Sequence, residues 1–223
     1  MVNKFSCANK LCKAFADFDA FTANLGITNI CIKGCNSCCK DYFYICENEF
    51  LYILQFLHAR HMNLSKYIGS SRLYANFFRR KHPDVFDDLE TYKQTEREIC
   101  RENDLTDYND LPLCIFWEEG LGCAIYSARP SVCRWYGTCA PCKIIGNIKV
   151  GMMAVQKLAD NILPIYSSKN NQYILSRSYP IFYWFYKFLS PNYKELTRIK
   201  VKLFSYASEE KLAEFKLAHI KPI

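Results

Sequence analysis

The sequence predicts a mainly α-helical domain with one small β-hairpin. Two patterns carry that expectation. Apolar residues recur three and four apart in several separate stretches, which is the spacing of a helix with one buried face. One segment, Cys114 to Tyr126, instead shows two short β-prone runs, "CIFW" and "CAIY", around a glycine-containing turn, as a hairpin does.

Taken in order, Leu11, Ala14, Phe15, Phe18, Phe21 and Leu25 form one stripe and predict a helix over 9–25, with Gly26 as its stop. The stretch "CIKGCNSCCK", residues 31–40, contains Gly34 and Asn36 and reads as a loop. Helical spacing resumes from Glu47 to His61 through Phe50, Leu51, Leu54 and Leu57. Glu47 and Glu49 lie in its first turn, where the helix dipole favours acids. Ser65 is placed to cap another helix running to about Arg80. Pro83 and Asp84 break and restart the chain, and Val85, Phe86, Leu89 and Tyr92 begin a charged helix to about Asn103. After the hairpin, "ARPSVCRWYG" reads as a turn and one short helical piece. Beyond Cys142 a strand or turn leads into a helix, and "NYKELTRIKVKLFSYA" and "SEEKLAEFKLAHI" read as two closing helices, the second capped by Ser208.

The 223 residues include 13 cysteines. Residues 1–142 hold all of them and carry 16 Lys and Arg against 17 Asp and Glu; residues 143–223 carry 13 against 5. The chain therefore divides into a neutral, cysteine-rich region, 1–142, and a basic, aromatic helical region, 143–223, packed on it to make one domain overall. The N-terminus has no apolar core of a secretory signal. No run reaches the ~18 apolar residues of a membrane span; the nearest, "YPIFYWFYKFL", is short and carries Lys187. A cytoplasmic protein with no membrane association is the expectation. In a reducing compartment, dense cysteines point to ligands or redox groups rather than to disulfides.

Cys31, Cys35, Cys38 and Cys39 fall within nine positions, and the last two are adjacent. Neighbouring cysteines seldom pair, because the small ring strains the disulfide dihedral, and an odd total leaves one thiol over. Thiolates are soft anionic ligands for zinc and for iron–sulfur clusters. Crowded together they repel, and a metal cation offsets that repulsion. One loop seldom closes a site unaided. A second group is available downstream: Cys114, Cys123, Cys133, Cys139 and Cys142.

These two segments together resemble the CxxCxxCC family of zinc- or iron-chelating proteins, also called the YkgJ-like cysteine-cluster family. The resemblance covers roughly residues 31–142. Its second part rests on Cys114, Phe116, Cys123, Ile125, Tyr126, Arg129, Pro130, Cys133 and Arg134, and Glu47 or Glu49 fits the family's helix-opening glutamate. The three-residue gap from Cys31 to Cys35 is similar to the spacing in the cluster-bearing part of flagellin lysine methylases. Ile115 stands where proline often follows the cysteine, and 74 residues separate Cys39 from Cys114. The resemblance implies Cys31, Cys35, Cys38, Cys39, Cys114, Cys123, Cys133 and Cys139 as the metal ligands, with Arg129 and Arg134 available to the cluster sulfurs or to loop carbonyls. It favours a 4Fe-4S cluster over zinc.

Bland readings accompany these. Cys7, Cys12, Cys46 and Cys100 read as small buried hydrophobes. Cys139 and Cys142 have redox-dithiol spacing but lack the strand-then-helix context. His58 and His61 are expected to share a helix face without being ligands. Glu118 and Glu119 read as solvated. An acidic protein partner suits the basic C-terminal region and nucleic acid is disfavoured; packed amphipathic helices account for the same pattern. Phosphate loops, dinucleotide fingerprints, nucleophile elbows and HExxH are absent from the sequence. Cys31, Cys35 and Cys38 match radical-SAM spacing, but the chain lacks the repeated βα units of that barrel. Three function classes follow: an iron–sulfur or zinc protein in electron transfer, metal handling or an accessory role; a flagellin-lysine-methylase-like, cluster-dependent modifying enzyme; and a structural zinc interaction module.

Overall fold

The computed structural model describes residues 6–24, 35–91, 111–136 and 178–189. Within them the fold is mostly helical, with two small antiparallel strand pairs where one hairpin was expected. Helix α1, Ser6–Asn24, buries Leu11, Ala14, Phe15 and Phe18. The stripe then turns: Thr22 is buried, its hydroxyl donating to the Asp19 carbonyl at 2.9 Å, while Phe21 is exposed. Cys12 is also exposed and not the buried hydrophobe expected, because it lies one step off that face.

Strand β1, Tyr44–Cys46, runs straight into α2, Glu47–Ala59. Phe50, Ile53, Leu54 and Leu57 of α2 face the core, and α1 packs across the helix with Phe15 edge-on to Tyr52. The helix ends before His61. His61 takes a left-handed φ of 51°, and the Met62 N–H turns back to the Leu57 carbonyl at 2.9 Å, closing the last turn as glycine usually does. His58 and His61 therefore do not share a helical face. Helix α3, Leu64–Lys81, is capped by Asn63, whose side chain accepts from the Ser65 N–H at 3.0 Å; the cap precedes the serine expected to supply it. Pro83 then opens α4, Pro83–Thr91, at the first-turn position where its missing N–H costs nothing. The expected continuation of α4 to Asn103, the segment following Cys142 and the two closing helices lie outside the described residues.

The short aromatic run passed over as a membrane span forms the centre of the core. Strand β4, Ser178–Pro180, pairs antiparallel with β1, matching Tyr44 to Pro180 and Cys46 to Ser178. Its continuation, α6 at Ile181–Tyr183, passes into a π-turn at Trp184–Phe188. Phe182, Tyr183, Trp184, Phe185 and Phe188 are all buried. Phe182 stacks on Tyr74 of α3, and Trp184 stacks on Phe50 of α2 at 4.9 Å between ring centroids. The Trp184 indole N–H donates to the Ile45 carbonyl at 2.9 Å. Trp184→Phe is expected to cost about 1.5 kcal/mol, from one lost buried hydrogen bond and a smaller ring, read as a shifted denaturant midpoint at unchanged slope. Among the described residues, no helix is long and apolar enough to cross a membrane.

Candidate metal centre

The site forms where the cysteine loop meets the hairpin. Cys38 and Cys39 lie on a 3-10 turn, Ser37–Lys40. Backbone bonds from the Cys39 N–H to the Asn36 carbonyl (2.9 Å) and from the Asp41 N–H to the Cys38 carbonyl (3.2 Å) hold it. The Cys39 carbonyl then accepts from the Cys114 N–H at 2.6 Å. Main chain therefore ties the two cysteine groups together across the 74 intervening residues. After Cys114 the chain turns, Trp117 N–H to Cys114 carbonyl at 2.9 Å, into strand β2, Trp117–Glu118, and back along β3, Gly122–Cys123. The expected strands began at the cysteines; the observed pairing is shorter and shifted toward the turn, matching Trp117 to Cys123. Gly120 and Gly122, with φ of 75° and 83°, supply the left-handed conformations that so tight a reversal needs. A 3-10 turn at Tyr126–Ala128 then leads to helix α5, Ser131–Trp135, which carries Cys133.

Cys35, Cys38, Cys39, Cys114, Cys123 and Cys133 all line one cavity of about 230 Å³. Phe43, Phe116, Ile125 and Ile181 make its apolar walls, with Arg129 and the exposed Leu121 also contributing. Six of the eight expected ligands are thus brought together from two distant segments. Cys31 and Cys139 lie outside the described residues, as do Cys142 and Cys100 and the side chains of Cys7 and Cys46. His58 and His61 do not line the cavity. Among the described residues, no group of three or more His, Cys, Asp or Glu side chains is gathered so as to hold a metal ion as it stands.

Burial dominates at Cys114 and Cys133. It pushes the Cys114 thiol up to about 12, with the Cys123 and Cys38 charges adding to the effect. Cys133 is raised well above its ordinary value, first by burial and then by Cys114, Cys38 and Cys123. Cys38 and Cys39 hydrogen-bond each other, which raises Cys39 and lowers Cys38; the Arg129 charge adds slightly to the lowering. The raised thiols of Cys39, Cys114 and Cys133 therefore keep their protons at pH 7, and a metal binding to any of them would have to displace one.

The two arginines separate in role. Arg129 lines the cavity, lies over the Tyr126 ring at 4.1 Å and donates to the Tyr126 carbonyl at 2.9 Å. Arg134 is 2% exposed and turned away from the cavity. It donates to the carbonyls of Arg129 (3.0 Å) and Ser127 (2.8 Å), pairs with Asp19 of α1 and covers the Phe15 ring. It thus fastens the Ser127–Arg129 loop to α1.

Of the two candidate helix-opening glutamates, Glu49 reaches the segment that carries Cys133, and the side chain of Glu47 lies outside the described residues. Glu49 is 4% exposed, and its Oε1 accepts from both the backbone N–H (2.7 Å) and the hydroxyl (2.6 Å) of Ser131, the first residue of α5. Glu118, expected to be solvated, instead pairs with Lys66 at 2.8 Å and accepts from the Tyr67 hydroxyl at 3.0 Å, tying the hairpin to α3. Lys66 holds the Glu118 carboxyl below its ordinary value, with Tyr67 assisting against a smaller burial effect. A depressed carboxylate stabilises the fold above its unfolded pKa, and that stabilisation is lost as pH falls through the folded value. Because Lys66 is half exposed, the gap between wild type and Glu118→Gln is expected to be below about 1 kcal/mol at pH 7 and to close under acid, measured by urea unfolding at both pH values.

No protein-family model matches the chain, and no curated protein or solved structure matches it either.

Proposed function

We propose that the chain is a cysteine-cluster metalloprotein of YkgJ-like type whose cavity holds a 4Fe-4S cluster. The supporting observation is the convergence of six thiols from two segments on one cavity with apolar walls. A zinc ion closed in by four thiolates has its sulfurs about 2.3 Å away, which leaves no room beside it. A space of about 230 Å³ suits a polynuclear core better. Such a cluster takes four thiolates, and Cys35, Cys38, Cys39, Cys114, Cys123 and Cys133 are the described residues able to supply them. When bound, the cluster offers one-electron redox chemistry or an iron for exchange. The chain's residues supply the rest: apolar walls flank the partly exposed sulfurs, Arg129 contributes positive charge, and Glu49 and Arg134 hold the Cys133 segment in place. Electron transfer, metal handling or an accessory role is the reading favoured over a modifying enzyme.

Iron, zinc and acid-labile sulfide counted on one anaerobically purified sample test this. Brown protein with a broad band near ~400 nm and equal iron and sulfide is expected. Colourless protein with stoichiometric zinc and no sulfide would replace it with the structural zinc module.

A further inference from the structure

Among the described residues that line the cavity, Arg129 is the one with a permanently charged side chain. Around it stand apolar side chains such as Phe116, Leu121 and Ile125, the Tyr126 ring and the sulfurs. The guanidinium lies over the Tyr126 ring at 4.1 Å, and one of its nitrogens donates to the Tyr126 carbonyl at 2.9 Å. A second nitrogen lies 3.7 Å from the Asp19 carboxylate, longer than a hydrogen bond. Asp19 makes its closer pair with the buried Arg134. One carboxylate therefore serves two guanidiniums, and Arg129, with five N–H donors, keeps charge and donors to spare. Asp41 does not offset it in the cavity, since it lines a smaller neighbouring pocket instead. The Arg129 side chain is 13% exposed, within reach of solvent but screened less than a charge on the open surface.

A guanidinium matches a carboxylate in both shape and charge, and an apolar wall beside it suits a hydrocarbon body. The cavity, at about 230 Å³, is smaller than the roughly 300–1,000 Å³ pockets of drug-sized ligands, so its ligand is small. We propose that the cavity binds a small organic carboxylate, with Arg129 pairing the carboxylate group and the apolar wall taking the body. The guanidinium and the wall belong to the chain itself, whatever metal the thiols hold. A ligand so placed lies against the sulfurs and covers them.

The test uses the full chain as wild type, Arg129→Gln, Arg129→Lys and Asp19→Asn, stripped of metal by a chelator under reductant. Far-UV circular dichroism checks that the helices persist; where they do not, the metal-loaded chain is used and protection is read as slowed metal loss to the chelator. Thiols are alkylated with iodoacetate or with neutral iodoacetamide of nearly equal size, and each adduct is assigned by peptide mass spectrometry. The ratio of the two rates cancels the intrinsic reactivity of each sulfur. At the cavity cysteines that ratio is expected to be several-fold higher than at the exposed Cys12. It is expected to fall to the Cys12 value in Arg129→Gln, to be largely kept in Arg129→Lys and to rise in Asp19→Asn. Butyrate is expected to protect the same cysteines from iodoacetamide, saturably and at constant ionic strength, in wild type and not in Arg129→Gln. Equal protection by chloride, or an iodoacetate preference without butyrate protection, reduces Arg129 to a general field and overturns the proposed site. A ratio equal to that of Cys12 at every cavity cysteine overturns it as well.

Discussion

A chain carrying serine at Cys114, Cys123 and Cys133 is expected to fold but to bind roughly a tenth or less of the wild-type iron. Serine is nearly isosteric with cysteine, but its alcohol does not ionise at neutral pH and its oxygen is a hard donor, so soft-metal affinity disappears. The fold survives because the junction between loop and hairpin is backbone, from the Cys114 N–H to the Cys39 carbonyl, and no thiol is needed to make it. The mirror variant, with serine at Cys35, Cys38 and Cys39, is expected to lose iron equally, since each segment brings only three of the described thiols to the cavity. Full iron in either triple variant, counted beside acid-labile sulfide, would mean that a single segment carries the site.

Glu49→Ala is expected to cost about 3 kcal/mol and Glu49→Gln less than about 1 kcal/mol. The alanine leaves the Ser131 N–H and hydroxyl without their acceptor inside the protein, at the start of α5. Glutamine keeps an acceptor oxygen in the same place and carries no charge to be buried. In a chain of this length the loss corresponds to roughly 6–12 °C in Tm. Burial raises the Glu49 carboxyl pKa, against the opposing pull of the two Ser131 hydrogen bonds and the Arg134 charge. A raised carboxyl stabilises the fold fully below its unfolded pKa, and that contribution is lost as pH rises through the folded value. The stability of Glu49→Gln is therefore expected to decline less than that of wild type over that rise, as read by thermal unfolding across mildly acidic to neutral buffers. Because Ser131 stands two residues before Cys133, the alanine variant is also expected to load iron more slowly.

The helices were legible because each buries a single face: the spacing at Phe50, Leu54 and Leu57 or at Val85, Phe86 and Leu89 states it directly. Their ends were less so. A left-handed His61 and a cap by Asn63 rather than Ser65 are settled by backbone hydrogen bonds that composition does not reveal. The second strand pair was invisible because β1 and β4 are three residues each and more than 130 residues apart; no local period marks so short a strand. In the site, thiol spacing pointed to the cysteines that the structure brings to one cavity. Ile181 and Phe43 could not be found that way, being ordinary apolar residues that become cavity walls only through the β1–β4 register. Arg134 was legible as a residue but not in its partner, because Asp19 sits 115 positions earlier.

The pairing of β1 with β4 has a consequence for biosynthesis. Every cysteine precedes Ser178, so the nascent polypeptide displays all its sulfur before the last wall of the pocket has been translated. At a ribosomal pace of 5–20 residues per second the interval between Cys142 and Leu189 is about 2–9 s. During it Phe43 and the thiols face water and whatever ions are nearby. On the proposed cluster reading, loading is expected after Trp184 and its neighbours have left the exit tunnel, and a translation product that stops before Ser178 would lack the Ile181 wall of the cavity.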